Sequence, residues 1–390
     1  MKRAFLFLLI IILSPCMLSS YTAKAEDSKD EINLESEIDN LIDNLDLAEL
    51  EEYLQNLPAE IIGSATLKDK LLQMLKGEAT TDFSSVSNYI LNVFFSGIKQ
   101  KIPTLITIFC LLVVCAIINS IKPNKLGSGV YEITFFACYS IIVIIIVTIV
   151  YALVDKSKET IEKTSKSVQA VFPIMLALMT ITGNTSSVAV YNPSLLFITD
   201  FVVVIINKLV FPAILGMLAI SVVSNVCKGV KLNGLLQFSS STLKWIIGLV
   251  ATVFSLFLTV RGLNAGVHDG ISMRALKYTV NTSVPLVGGI LRDGLDLILA
   301  SGILVKNALG GIAIIIIFGT IIQPIIEIVC ISLSLKLINA VLEPLNDSRV
   351  VSFINSVCSV INFAIASMII VSLMYVIIII LAICSSQMMF

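Results

Sequence analysis

RGLNAGVHDGISMRALKYTVNTSVPLVGGILRDGLDLILASGILVKNALGG, residues 261 to 311, mixes charges, glycines and apolar residues inside a chain that otherwise sorts into polar and apolar blocks. Arg261, Asp269, Arg274, Lys277, Arg292, Asp293, Asp296 and Lys306 fall close to, or between, runs long enough to cross a bilayer. A charge near that depth is costly unless it is paired or hydrated, so each of these residues needs a partner or water. On a helix Arg292 and Asp296 stand four apart and share a face, with Asp293 beside them. They read either as an ion pair that fixes helix packing or as a polar strip lining a water-filled path. Lys306-Asn307 precedes Gly310-Gly311 and a new apolar run, which suits a lysine snorkelling to an interface.

Working outward, the chain is an integral membrane protein. Hydrophobic residues make up 57% of its 390 residues and charged ones 14%, where a soluble domain has about 25% charged. Mean hydropathy is +0.97. The net charge of -1 hides an asymmetry: residues 26 to 60 hold thirteen acids and one lysine. Such an acidic segment argues against nucleic acid as a partner. None of the eight cysteines lies in the polar N-terminal part, so neither a disulfide framework nor a cysteine metal motif is implied.

Residues 1–25 carry the parts of a secretory signal peptide: Lys2 and Arg3, an apolar run, and Ala23-Lys24-Ala25 as an A-x-A site. Residues 26–101 form an exported region of amphipathic helices, with Ile38, Leu41, Ile42 and Leu45, then Leu67, Leu71, Leu72 and Leu75, at helical spacing. It is too short for a large core of its own and is expected to pack on the membrane part or on a partner. Residues 102–390 are the polytopic domain. Residues 102–121 and 133–154 are ordinary spans joined by the basic loop Lys122-Pro-Asn-Lys125, which the positive-inside rule puts in the cytoplasm. The charged helical stretch 155–166 then returns outside.

Beyond residue 168 the runs no longer match the ~30 Å hydrocarbon layer. Residues 195–223 contain Asp200, Lys208 and Pro212; residues 309–342 contain Pro324 and Glu327; residues 351–384 are again too long for one upright span. Either these tilt strongly or prolines divide them into half-length elements. Pro173 to Pro212 and Pro285 to Pro324 have equal spacing, which reads either as coincidence or as a repeat of 168–262 in 283–384 with interrupted helices. The fold class expected is therefore all-α, polytopic, with interrupted helices.

Catalysis has little to work with. His268 is the single histidine, and no H-E-x-x-H or P-loop is present, so no catalytic residue, cofactor or metal is assigned. Gly288-Gly289 and Gly310-Gly311 read as close-packing points between helices. Asp200 and Glu327, each inside a long run, either form a relay or mark where water enters. A self-contained secondary transporter using Asp200, Arg292, Asp293, Asp296 and Glu327 is one functional reading.

The segments FPIMLALMTITGNTSSVAVYNPSLLF (172–197), RGLNAGVHDGISMRALKYTV (261–280) and VPLVGGILRDGLDLILASGILVKNALG (284–310) resemble the stage III sporulation protein AE family of endospore-forming bacteria. The residues that carry the resemblance are Pro173, Gly183, Arg261, Gly262, Asp269, Gly270, Arg274, Lys277, Tyr278, Pro285, Gly288, Gly289, Asp293, Lys306, Asn307 and Gly310. It implies a non-enzymatic membrane subunit of a channel or secretion-like complex between mother cell and forespore, in the mother-cell membrane around the forespore. Its implied partners are the other membrane proteins of that complex and the bilayer, and self-association into a homo-oligomer is compatible with it.

Overall fold

A computed structural model describes residues 30–58, 66–76, 83–120, 128–182, 188, 197–226, 232–283, 288–343 and 348–384. Within its helices the side chains at 30–35, 83–86, 119, 128–131, 260–283, 288–296 and 342 are outside that description. The signal peptide, the Lys122–Lys125 loop, Gly183 and Pro285 also lie outside the described residues.

Three short helices come first: α1 (Asp30–Asp43), α2 (Ala48–Gln55) and α3 (Leu67–Leu75). Then come α4 (Phe83–Ser120), α5 (Ser128–Ile181), α6 (Phe197–Val226), α7 (Asn233–Ser283), α8 (Gly288–Leu342) and α9 (Ser348–Cys384). The described residues contain no strand, and six of the helices are long and apolar enough to cross a membrane. The all-α, polytopic membrane architecture expected from composition is present.

The prolines do not divide the long runs. α5 continues through Pro173 and α8 through Pro324. A mid-helix proline removes one hydrogen bond at a cost of about 3 kcal/mol, which tertiary packing along so long a helix can offset. The irregularity that does occur is a π turn, Ile206–Val210, just before Pro212, where one inserted residue re-routes the backbone bonds. Pro173 and Pro212 thus lie on separate helices, whereas Pro324 lies within a helix that starts at Gly288. The presumed boundary at residue 101 also falls inside a helix, α4.

At 1.5 Å per residue α5 and α8 are each about 80 Å long, far more than a bilayer needs. They run antiparallel: Thr182 meets Gly302, Met175 meets Gly310, and Lys156 bonds Glu327. α9 returns along α8, with Asn355 on Asn339 at one end and Ala382 and Ile383 on Lys306 at the other. α6 descends along α5, fixed by Gln169 to Asp200 and Asn207 to Glu162.

The outer surface of α5 and α8 carries an apolar band of the height of a hydrocarbon core. On α5 the exposed large apolar side chains run from Ile133 to Tyr151 and then stop until Ile181. On α8 they occupy Leu333, Leu337 and Val341, with none between Leu304 and Leu333. The antiparallel register puts Tyr151 level with Leu333, so one boundary serves both helices. From Ile133 to Tyr151 the band is about 27 Å tall, the thickness of a hydrocarbon core. Above it α5 turns Asp155, Lys158, Glu159, Glu162, Lys163 and Lys166 outward.

The bundle therefore rises roughly 45 Å beyond the band, measured from Tyr151 to Ile181. There the apolar runs of α8 and α9 are buried by protein: α9 shows no exposed large apolar residue, and Met368, Val371, Met374, Ile378 and Ile379 are buried. α1 and α3 cover part of α8, with Met74 against Gly311 and Leu57, just after α2, against Gly319. This is why two runs were too long for single spans. Only their lower halves sit in the band; the upper halves are the core of a helical bundle.

The N-terminal helices are held to one another by ordinary means. Thr66 and Asp69 form a reciprocal capping box at the start of α3, and Lys68 reaches Asp43 at 2.7 Å and Asp39 at 3.6 Å on α1. The Thr66 hydroxyl, and then its backbone N–H, hold the Asp69 carboxyl below its usual range. Burial lowers the Lys70 ammonium.

Candidate functional site

Two polar features stand out in and just above the apolar band. The first is a cleft of about 660 Å³ at the end of the bundle where α5 begins and α8 ends. Met217 of α6, Leu236, Gln237 and Ser240 of α7, Glu343 after α8, and Ser348, Val351, Ser352, Asn355, Ser356 and Ser359 of α9 line it. The α9 residues 348, 352, 355, 356 and 359 recur at three- and four-residue spacing, so one face of an otherwise apolar helix is polar. Asn355 is joined across to Asn339 of α8 at 3.2 Å. Ser356 donates its hydroxyl to the Ser352 carbonyl and Ser359 to the Asn355 carbonyl. Hydroxyls so occupied turn lone pairs outward, which makes the wall rich in acceptors and suited to holding water inside the membrane layer. The reading of the sequence missed this stripe; its signal was the helical period of Ser and Asn in residues 348 to 359.

The second feature is an ion cluster one turn above the band. Glu327 of α8, with a side chain 17% exposed, bonds Lys156 of α5 and stands 3.5 Å from Lys101 of α4, both lysines being 37% exposed. Three helices converge on one carboxylate, so Glu327 is a pairing residue at the upper rim of the band. Asp200 accepts from the Gln169 amide at 2.8 Å. Gln169 and Lys156, the α5 partners of the two carboxylates, are thirteen residues apart, so Asp200 and Glu327 sit about 20 Å from each other along the bundle. That is too far for direct proton sharing.

Lys306 is not at an interface. It is fully buried, and its ammonium donates to the Ala382 and Ile383 carbonyls at 2.8 and 2.9 Å, in the last turn of α9. The snorkelling expectation failed because the polar target here is a neighbouring helix end. One turn on, Gly310 makes room for that end: a Cβ there would lie 2.5 Å from Ile383 Cγ1. The Asn307 Oδ1 beside it is buried without a hydrogen-bond partner. Pro173 is exposed on α5. Arg261, Gly262, Asp269, Gly270, Arg274, Lys277 and Tyr278 lie on α7, and Gly288, Gly289, Arg292, Asp293 and Asp296 on α8, but their side chains are outside the described residues. The Arg292–Asp296 pairing falls outside the described side chains.

The family model for stage III sporulation protein AE (spore_III_AE) matches residues 65–386. The chain belongs to that family. Its match takes in α3 to α9, and with them Lys306, Gly310, Glu327 and the serine stripe. Over 383 residues the chain is also 22% identical to stage III sporulation protein AE of Bacillus subtilis (strain 168), covering 96% of each chain. No solved structure matches.

Proposed function

We propose that this chain is a membrane subunit of the channel or secretion-like complex that connects mother cell and forespore during spore development. Membership of a family of stage III sporulation proteins supports the setting. The observation that carries the reading is the helical bundle that stands roughly 45 Å clear of the apolar band. A membrane protein that needed only to span the bilayer would have no use for that length, whereas a subunit that meets others across an intermembrane space would.

The orientation follows from charge. In the sequence Lys122 and Lys125 fall between α4 and α5, and Lys228 and Lys231 between α6 and α7, and the positive-inside rule assigns such basic connections to the cytoplasm. The bundle and α1–α3 then face the intermembrane space, and the acceptor-lined cleft opens toward the mother-cell cytoplasm. Impermeant maleimide applied from outside should label a cysteine placed at Lys68 and leave one at Lys125 or Glu343 untouched. Labelling at Lys125 would reverse the orientation.

The role itself is tested by purifying the tagged full-length chain from sporulating cells. Co-purification with other sporulation membrane proteins is the expected result. Purified protein that, reconstituted without partners, moves a solute against its gradient at the expense of an ion gradient would instead establish a self-contained transporter.

A further inference from the structure

At the lower rim of the apolar band, the first turns of α5 and α9 and the last turn of α6 enclose a groove of about 360 Å³. Glu132, Phe135, Phe136 and Tyr139 recur at three- and four-residue spacing, so they share one face of α5, and Arg349 of α9 and Val226 of α6 complete the wall. The Arg349 guanidinium carbon lies 4.9 Å over the centre of the Phe135 ring. Phe135 stacks on Tyr139 at 6.1 Å, and Tyr139 meets Phe353, one turn along α9 from Arg349, edge to face at 6.1 Å. All three rings are buried, so the surface that carries the guanidinium is fixed by the core.

The groove joins two environments. Its polar end holds one cation, Arg349, and one exposed carboxylate, Glu132. Its apolar side is Ile133, 72% exposed, and Phe136, 53% exposed, the lowest members of the row that forms the band. A soluble ion would leave that side wet, and bare hydrocarbon offers nothing to the charged end; a charged head on an acyl body matches both. Stacking uses one face of the guanidinium and leaves its five in-plane N–H donors, of which a carboxylate in the bidentate fork takes two, so donors remain for a phosphate. Glu132 then selects the head. Its charge repels a lipid that is only anionic and attracts one that also carries an ammonium.

We infer that this groove binds a zwitterionic aminophospholipid, its phosphate on Arg349, its primary ammonium on Glu132 and an acyl chain along Ile133 and Phe136. Phosphatidylethanolamine is the simplest lipid of that kind. The volume lies within the range of ligand pockets, ~300–1,000 Å³. Such a lipid touches the ends of three helices at once, α5 and α6 through their lower turns and α9 through its first, so it joins elements that the sequence keeps far apart. The inference rests on the apolar band and is independent of the sporulation role.

The test is native mass spectrometry of the full-length, delipidated protein in micelles, titrated with phosphatidylethanolamine, phosphatidylglycerol or phosphoethanolamine. One phosphatidylethanolamine is expected to bind at about tenfold lower concentration than phosphatidylglycerol, and phosphoethanolamine, which has no acyl chains, to stay unbound at those concentrations. Arg349→Gln should weaken phosphatidylethanolamine binding about tenfold, the loss of a charge-assisted contact. Glu132→Gln should erase the preference for phosphatidylethanolamine while phosphatidylglycerol binds at least as tightly as before, a change of selectivity that misfolding would not produce. Phosphatidylglycerol binding the unaltered chain as tightly as phosphatidylethanolamine would overturn the inference, as would an Arg349→Gln chain that binds phosphatidylethanolamine undiminished. Phosphoethanolamine binding as tightly as the lipid would make this a site for a soluble phosphate and overturn the lipid.

Discussion

Replacing Glu327 with Gln keeps the shape of the side chain and removes the charge on which α4, α5 and α8 converge. At 3.5 Å and an effective dielectric of 20, the Coulomb attraction between Glu327 and Lys101 alone is about 5 kcal/mol. Little of this survives as net stability, because both lysines are 37% exposed and can turn toward water. Exposed pairs are worth about 0–1 kcal/mol and breaking a buried pair costs about 3–5. Glu327, at 17% exposure, lies between those limits, and a loss of about 2 kcal/mol is expected. The assay is equilibrium unfolding of the purified full-length protein in mixed micelles, run as a cycle with Lys101→Met and with both changes. Once the carboxylate is gone Lys101 has lost its partner, so the double variant should be less destabilised than the two single losses added together. The coupling expected is about 1 kcal/mol. Losses that add within about 0.4 kcal/mol would refute the claim that this carboxylate ties α4 to the bundle.

Gly310→Ala should destabilise by about 1 kcal/mol in the same assay, the overpacking against Ile383 exceeding the helix-propensity gain of alanine, and Ile383→Ala should restore stability in its presence. In hydrogen exchange, the α3 amides should lose protection as acid titrates Asp69: its folded pKa is depressed, so the stabilisation is present above the unfolded value near 3.9 and is lost as pH falls through the folded one. Thr66→Ala should abolish that dependence. Lys70 titrates low because it is buried, so its charging cost is present at neutral pH and is relieved as pH rises through its folded value; Lys70→Met should remove the rise in α3 protection toward high pH. Charge reversal at Arg292 should impair spore formation and reversal at Asp296 should partly rescue it; a correctly inserted double variant without rescue would remove the pairing.

Helical class and membrane residence were legible because composition and run length depend on the chain alone. What misled was the equation of an apolar run with a membrane span. The runs containing Ala313–Ile317 and Ile377–Ile380 are apolar because other helices bury them, and no local pattern separates a lipid-facing isoleucine from one that faces α1 or α3. Pro173 and Pro324 signalled breaks that long-range packing overrides. Charged residues were found but not their partners: Glu327 pairs with lysines 171 and 226 positions away, and Lys306 with carbonyls whose identity no side-chain motif reveals. The α9 serines were legible in principle, since their spacing is helical.

The division of α8 and α9 into a lower half for lipid and an upper half for protein sets a problem of biogenesis. Runs such as Ile312–Ile322 and Ile369–Ile380 are greasy enough to be held by the insertion machinery as spans, yet in the finished molecule they stand clear of the hydrocarbon. What draws them out has to be an alternative apolar host already in place. α1 to α3 and α5 are synthesised before α8, so the early part of the chain supplies that host, and the order of synthesis becomes part of how the late helices find their depth.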